Sequence, residues 1–133
     1  MNYIYLMNEL TKAEEQVMQY MWKLEKAFLK DIVEQFPEPR PAYTTISTVV
    51  RVLVKKGFLK YESFGKIRQY APVFSKERYF KGQLNTVVTN FFNGSKVKFV
   101  NFFTENEDLD LSQLEEIKSL LEQKIDKLKK DGQ

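Results

Sequence analysis

Cysteine and histidine are both absent from this 133-residue chain. Disulfides, thiolate nucleophiles, imidazole bases and the commonest nitrogen and sulfur ligands of zinc and copper are therefore ruled out together. No metal and no cofactor is expected, and an enzyme would have to work with Asp and Glu alone. No stretch approaches the roughly 18 uninterrupted apolar residues that a membrane span requires. The opening MNYIYLMNEL has no basic segment ahead of a long apolar one. A cytoplasmic protein without membrane insertion is expected, and Tyr3, Ile4, Tyr5 and Leu6 receive no assigned role. What the chain does have is 43% hydrophobic and 14% aromatic residues. That is enough for one or two modest cores, and the mixed charge argues against disorder.

The net charge of +3 is small, but it is unevenly placed. Residues 1–39 hold four lysines against seven acids, and residues 83–133 hold seven lysines against nine acids. Between them, residues 40–82 carry ten basic side chains against only Glu62 and Glu77. A short charge run is ordinarily a solvated face; a one-sided block of this size within a folded segment points to a polyanion.

Periodicity shows how the block is presented. LTKAEEQVMQYMWKL places Thr11 three residues before Glu14, a capping box, and Ala13, Val17, Met21 and Leu24 follow on one face, predicting a helix over 11–24. FLKDIVEQF repeats apolar residues at helical spacing until the prolines of PEPRP stop it. AYTTISTVVRVLVKKG carries the stripe Ile46, Val49, Val50, Leu53 and Val54 and ends at Gly57, a residue suited to a left-handed C-cap. After it the period changes to two, and Gly65 permits a reversal into Ile67–Val73, predicting a hairpin. Three helices and a two-stranded ribbon, in that order, make a winged helix-turn-helix.

At 100° per residue, Thr44, Thr48, Arg51 and Lys55 share a narrow sector opposite the apolar stripe, flanked by Thr45 and Ser47. Hydroxyls and cations in this arrangement suit base edges and phosphates of a major groove, while Lys66 and Arg68 on the hairpin would reach neighbouring phosphates or the minor groove. Arg40 and Tyr43, at the approach to the helix, complete the candidate DNA-contacting set. Plain capping of the helix N-terminus is an equally good account of the hydroxyls on spacing alone.

LTKAEEQVMQYMW, YTTISTVVRVLVKKGFL and GKIRQYAPVFSKE resemble the BlaI/MecI family of penicillinase and methicillin-resistance repressors, over residues 10 to about 130. The shared features are LT-x-x-E, a YTTV-x-T helix ending in KG, and a wing ending in Y-x-P. The resemblance implies a dimeric DNA-binding repressor with an N-terminal winged helix and a C-terminal helical dimerisation domain. Two positions depart from the family pattern. The arginine usual before the leucine of R-L-x-x-K-G is Val52, with Arg51 one place earlier, and an arginine of the best-known members is Ser47. The operator read by this chain therefore need not be theirs.

A mainly α architecture is thus expected, with a winged helix-turn-helix DNA-binding domain over 1–74 and a helical dimerisation domain over 75–133. In the latter, Phe80, Leu84, Val87, Val88 and Phe91 fall on one helical face, and SKVKFVNFF adds Phe99 and Phe102. Ser112 and Glu115 open a last amphipathic helix with Leu114, Ile117, Leu121 and Leu128. Glu105, Glu107, Asp108 and Asp110 read as an acidic linking loop. Such faces make a poor core alone and are best covered by a second copy, so a homodimer on a pseudo-palindromic double-stranded DNA operator is expected. The pair Asn101 and Phe102 aligns with the bond cut in the family's resistance repressors by a membrane metallopeptidase sensor, so the resemblance alone implies that regulatory partner. On the residues themselves, Phe99, Val100, Phe102 and Phe103 read as core side chains of a helix. The alternative to a repressor is a winged helix that docks an acidic protein partner and never touches DNA.

Overall fold

A computed structural model describes residues 9–132 of the chain, and Tyr3, Ile4, Tyr5 and Leu6 lie outside the described residues. The chain divides into two compact units, the first ending at Gln83 and the second beginning at Leu84.

In the first unit, helix α1 (Lys12–Leu24) begins at the expected capping box: Thr11 Oγ1 accepts from the Glu14 amide, and the Glu14 carboxylate accepts from the Thr11 amide. The buried face is rotated from the one the sequence indicates. Ala13 is exposed, and the inward residues are Val17, Met18 and Met21 with Glu14 beside them. A two-residue strand, β1 (Ala27–Phe28), then leads into helix α2 (Leu29–Gln35). No periodicity marks so short a strand; its partners across the sheet define it. Helix α3 (Tyr43–Lys56) follows the proline-rich turn.

Gly57 closes α3 at φ 86°, and the amides of Gly57 and Phe58 bond back to the carbonyls of Val54 and Leu53. This double bond pattern, with Leu53 and Phe58 both buried, is a Schellman end, and the positive φ is why a glycine sits there. Strand β2 (Leu59–Phe64) and strand β3 (Ile67–Pro72) form the hairpin with Leu59 opposite Pro72 and Phe64 opposite Ile67. β1 adds on the other side of β3, pairing Ala27 with Tyr70, so the sheet has three antiparallel strands in the order β1-β3-β2 rather than two.

The core of this unit collects one face from each element: Val17, Met18 and Met21, Ile32 and Phe36, Ile46, Val50 and Leu53, then Phe58, Leu59 and Tyr70. Phe58 stacks edge-on against Phe74 and Tyr79, and the Trp22 indole N–H donates to the Phe74 carbonyl at 3.0 Å. The helix that carries the polar sector is thereby fixed by its apolar stripe against two helices and a sheet. The topology is a winged helix.

Helix α4 (Lys76–Phe92), helix α5 (Lys96–Asn106) and helix α6 (Leu111–Lys130) complete the chain. The expected capping box of Ser112 and Glu115 is not used; Asp110 and Gln113 form it instead, one turn fraction earlier. The acidic linking loop also shrinks, since Glu105 lies inside α5 and Asp110 is the cap of α6. In the second unit, Phe92 meets Phe99 and Phe102 at 5.6 Å, yet Val88 is the single buried hydrophobic among the described residues from Leu84 onward. Val100, Phe102 and Phe103 are exposed, which corrects their reading as core side chains of one chain.

Candidate nucleic-acid interface

The outward sector of α3 is arranged as the helical wheel indicates. Thr44, Thr45, Thr48, Arg51 and Lys55 are exposed and Ser47 is half-buried. Capping does not occupy the hydroxyls: the residue at the start of the helix is Ala42, which has no side-chain acceptor, and its carbonyl takes the Thr45 and Ile46 amides. Instead Thr48 Oγ1 donates to the Thr44 carbonyl at 3.0 Å and accepts from Arg51 Nη2 at 3.3 Å. A hydroxyl has one proton, so Thr48 presents only acceptor capacity outward, and it holds the Arg51 guanidinium against the helix surface.

The two lysines that end α3 divide their roles. Lys55 stands in solvent, whereas Lys56 Nζ turns inward to Glu14 Oε1 at 2.6 Å and to the Glu9 carbonyl at 3.3 Å. Burial pushes the Glu14 carboxyl up, but the bonds from Lys56 and Thr11 outweigh it and hold the group below the usual carboxylate range. The beginning of α1 and the end of α3 are locked by this one ion pair. Nothing in the local sequence announces it, because Glu14 already has a capping role and its partner lies 42 residues on.

On the wing, Gly65 and Lys66 form the turn, with Gly65 at φ 64°. Lys66 and Arg68 are exposed, and the Arg68 guanidinium lies over the Tyr61 ring, 4.2 Å from its centre. Tyr43 is exposed at the start of α3. Arg40 is placed differently from its neighbours. Its Nε and Nη2 donate to the Phe36 and Glu34 carbonyls, and Glu38 pairs with it at 3.4 Å, so its guanidinium closes the end of α2. Lys30, on the first turn of α2, lines the same groove as Tyr43, Lys66 and Arg68; sequence reasoning passed over it because it lies outside the basic block.

Of the residues assigned to self-association, Phe80, Val87, Phe91, Phe102, Leu114 and Leu121 are exposed, while Leu84, Phe99 and Ile117 are half-buried. Val88 is already buried within the single chain. Phe91 is 78% exposed, an extreme value for a phenylalanine on a helix. Among the described residues no cluster of carboxylates could hold a metal ion, and no helix is long and apolar enough to cross a membrane.

Comparison with known proteins decides what this assembly of parts belongs to. Residues 10–123 match the penicillinase repressor family. The chain belongs to that family. Its members are transcriptional repressors, not enzymes. This family member is 31% identical over 121 residues to the methicillin resistance regulatory protein MecI of Staphylococcus aureus (strain N315), covering 87% of this chain and 95% of that protein. It is 25% identical over 116 residues to the penicillinase repressor of Bacillus licheniformis, covering 86% of this chain and 91% of that one. It is also similar to the solution structure of the DNA-binding domain of the repressor BlaI, at a TM-score of 0.48 and 24% identity over 53% of this chain and 87% of that structure's.

Proposed function

We propose that two copies of this transcriptional repressor, joined through their C-terminal helices, occupy a pseudo-palindromic operator in the cytoplasm and so occlude a promoter. The outward face of α3 carries the reading. It combines acceptor and donor hydroxyls with Arg51 and Lys55, is free of acids, and is held by a buried stripe on its other side. Thr44, Thr45, Ser47, Thr48 and Arg51 would meet base edges in a major groove, and Lys55, Lys66 and Arg68 would meet phosphates. Arg40 would act through the turn it braces.

The dimer is supported by the apolar surface from Val87 onward. Exposed Phe, Val and Leu side chains on all three C-terminal helices leave this half of the chain without a core of its own. Each 100 Å² covered by a second copy stabilises the pair by about 2.5 kcal/mol. Two α3 helices on one two-fold axis then require half-sites separated by whole turns of B-form DNA.

Selection of bound sequences from random duplex DNA tests the reading. An enriched inverted repeat, protected from cleavage on both arms and lost steeply as salt rises, is the expected result. Failure to enrich any duplex, with an acidic protein captured through the same face, would replace the operator by a protein partner.

A further inference from the structure

Strand β2 is an edge of the sheet: in the order β1-β3-β2 its one neighbour among the described residues is β3. From Lys60 to Phe64 every residue of it is exposed. Gly65 and Lys66 form a two-residue turn, so its closing pair, Phe64 and Ile67, is one that exchanges backbone hydrogen bonds. Counting back by twos, Phe64, Glu62 and Lys60 turn their backbone groups toward β3, whereas Ser63 and Tyr61 turn theirs away from it. Pro72, which has no N–H to give, lies opposite Leu59, another position of the outward set. The edge therefore offers the amides and carbonyls of Tyr61 and Ser63 to a further strand.

The side chains select which strand. Lys60 and Glu62 share one face of β2, and among the described residues neither pairs with an opposite charge of its own chain. A lysine alone on an edge wards off other strands. A lysine and a glutamate on either side of Tyr61 instead complement an antiparallel copy of themselves. With Tyr61 opposite Tyr61, each Lys60 meets the other copy's Glu62. The backbone permits the same register, because Tyr61 faces outward in both copies and so forms a hydrogen-bonded pair. Centring the pairing one residue to either side would set Lys60 on Lys60 or Glu62 on Glu62, with their backbone groups turned away. On the opposite face the Tyr61 ring is already ordered, by the Arg68 guanidinium 4.2 Å from its centre and by the Tyr70 ring at 6.0 Å.

We propose that β2 pairs antiparallel with β2 of a second copy, two-fold at Tyr61, and that this wing-to-wing contact joins one dimer to the next on neighbouring operators. The joining of dimers on DNA rests on the operator reading above; the strand pairing does not. Because the chain has no cysteine, the register can be tested by introducing one at a time. Opposite residues of a non-hydrogen-bonded pair have Cα atoms about 4.5 Å apart, within reach of a disulfide, whereas like positions two residues out of register are about 8 Å apart and beyond it. Under mild oxidation of the full chain, a mixture of Lys60→Cys and Glu62→Cys is expected to give covalent pairs, and either variant alone is not. On a duplex carrying two copies of the enriched site, the parent is expected to fill the second site about tenfold more tightly than a lone site. Lys60→Glu should abolish that gain by setting like charges opposite each other, and Lys60→Glu combined with Glu62→Lys should restore it at the parent's net charge. These side chains are exposed, and Trp22 fluorescence verifies that the variants fold. No covalent pair in the mixture, or equal cross-linking by one variant alone, would overturn the strand pairing and leave the operator reading intact. Failure of the charge exchange to restore the gain would overturn the joining of dimers. A parent chain that enriches no duplex would overturn the operator reading, with the cross-link still deciding the strand pairing.

Discussion

Removing the ammonium of Lys56 should loosen the winged unit by a predictable amount, and the loss should vanish in acid. Lys56→Met keeps the aliphatic stem and deletes the Nζ that meets Glu14 Oε1 at 2.6 Å and the Glu9 carbonyl. The Glu14 side chain is 8% exposed and that of Lys56 24%, so the pair lies between a surface bridge and a sealed one. Surface bridges contribute about 0–1 kcal/mol, and removing one partner of a fully buried pair costs about 3–5 kcal/mol. A loss of about 2 kcal/mol is therefore expected. For a unit of this size each kcal/mol lowers the melting temperature by about 4–8 °C, which gives a drop of about 8–16 °C.

The sign of the pH dependence follows from the depressed pKa of Glu14. A carboxyl whose folded-state pKa lies below its unfolded value stabilises the fold above the unfolded pKa, and that stability disappears as pH falls through the folded one. Parent and Lys56→Met melts should therefore differ most near neutrality and converge in acid, once Glu14 is protonated. Glu14→Gln combined with Lys56→Met should be less damaging than the sum of the single changes, because the buried carboxylate left unpaired by Lys56→Met is then absent. The chain's single tryptophan, Trp22, reports the melt of this unit through its bond to the Phe74 carbonyl. A shift of less than about 2 °C, or one unchanged between neutral and acid pH, would refute the reasoning.

Three further outcomes are expected. Arg51→Ala should cost about 1–3 kcal/mol of operator binding and relax preference at one base pair, whereas Lys66→Ala should weaken all sequences alike and reduce the salt slope by about one; binding titrations against single-base variants separate them. Leu53→Ala, at a fully buried position on the inner face of α3, should destabilise the winged unit by about 2–5 kcal/mol in denaturant melts. Phe91→Asp should leave the Trp22 melt unchanged and shift the chain toward the monomer in sedimentation, since Phe91 touches solvent over most of its surface.

Local rules were sufficient where one residue or one period decides the outcome. Thr11 with Glu14 located the start of α1, Gly57 the end of α3, and Gly65 the turn of the wing, because each leaves a few backbone amides or one positive φ with a single good solution. The sector of α3 was legible for the same reason: Ile46, Val50 and Leu53 go inward at one period, and Thr44, Thr48, Arg51 and Lys55 are carried outward with them. Nonlocal choices were not legible. β1 exists because Tyr70 and Gln69 present an edge to Ala27 and Phe28, and no pattern within two residues can say so. The inward turn of α1 by one position buries Met18 in place of Ala13 and carries Glu14 in with it, a residue type normally excluded from cores, which the distant Lys56 makes tolerable there.

The two ends of α3 illustrate how one helix can be both structural and available. At its beginning, a side-chain cap would have tied up the hydroxyls; with Ala42 there, the threonines remain on the outside. At its end, two adjacent lysines point about 100° apart, so Lys56 reaches back to Glu14 while Lys55 stays in water. Exchanging the order of function between these lysines would require the helix to rotate and lift Ile46, Val50 and Leu53 from the core, at about 2 kcal/mol or more for each side chain exposed. The outward presentation of Arg51 is thus enforced by residues that a nucleic-acid partner never meets. Lesions in Leu53 or Lys56 should weaken operator binding through the population of correctly folded helix, with the salt slope of the remaining active fraction unchanged.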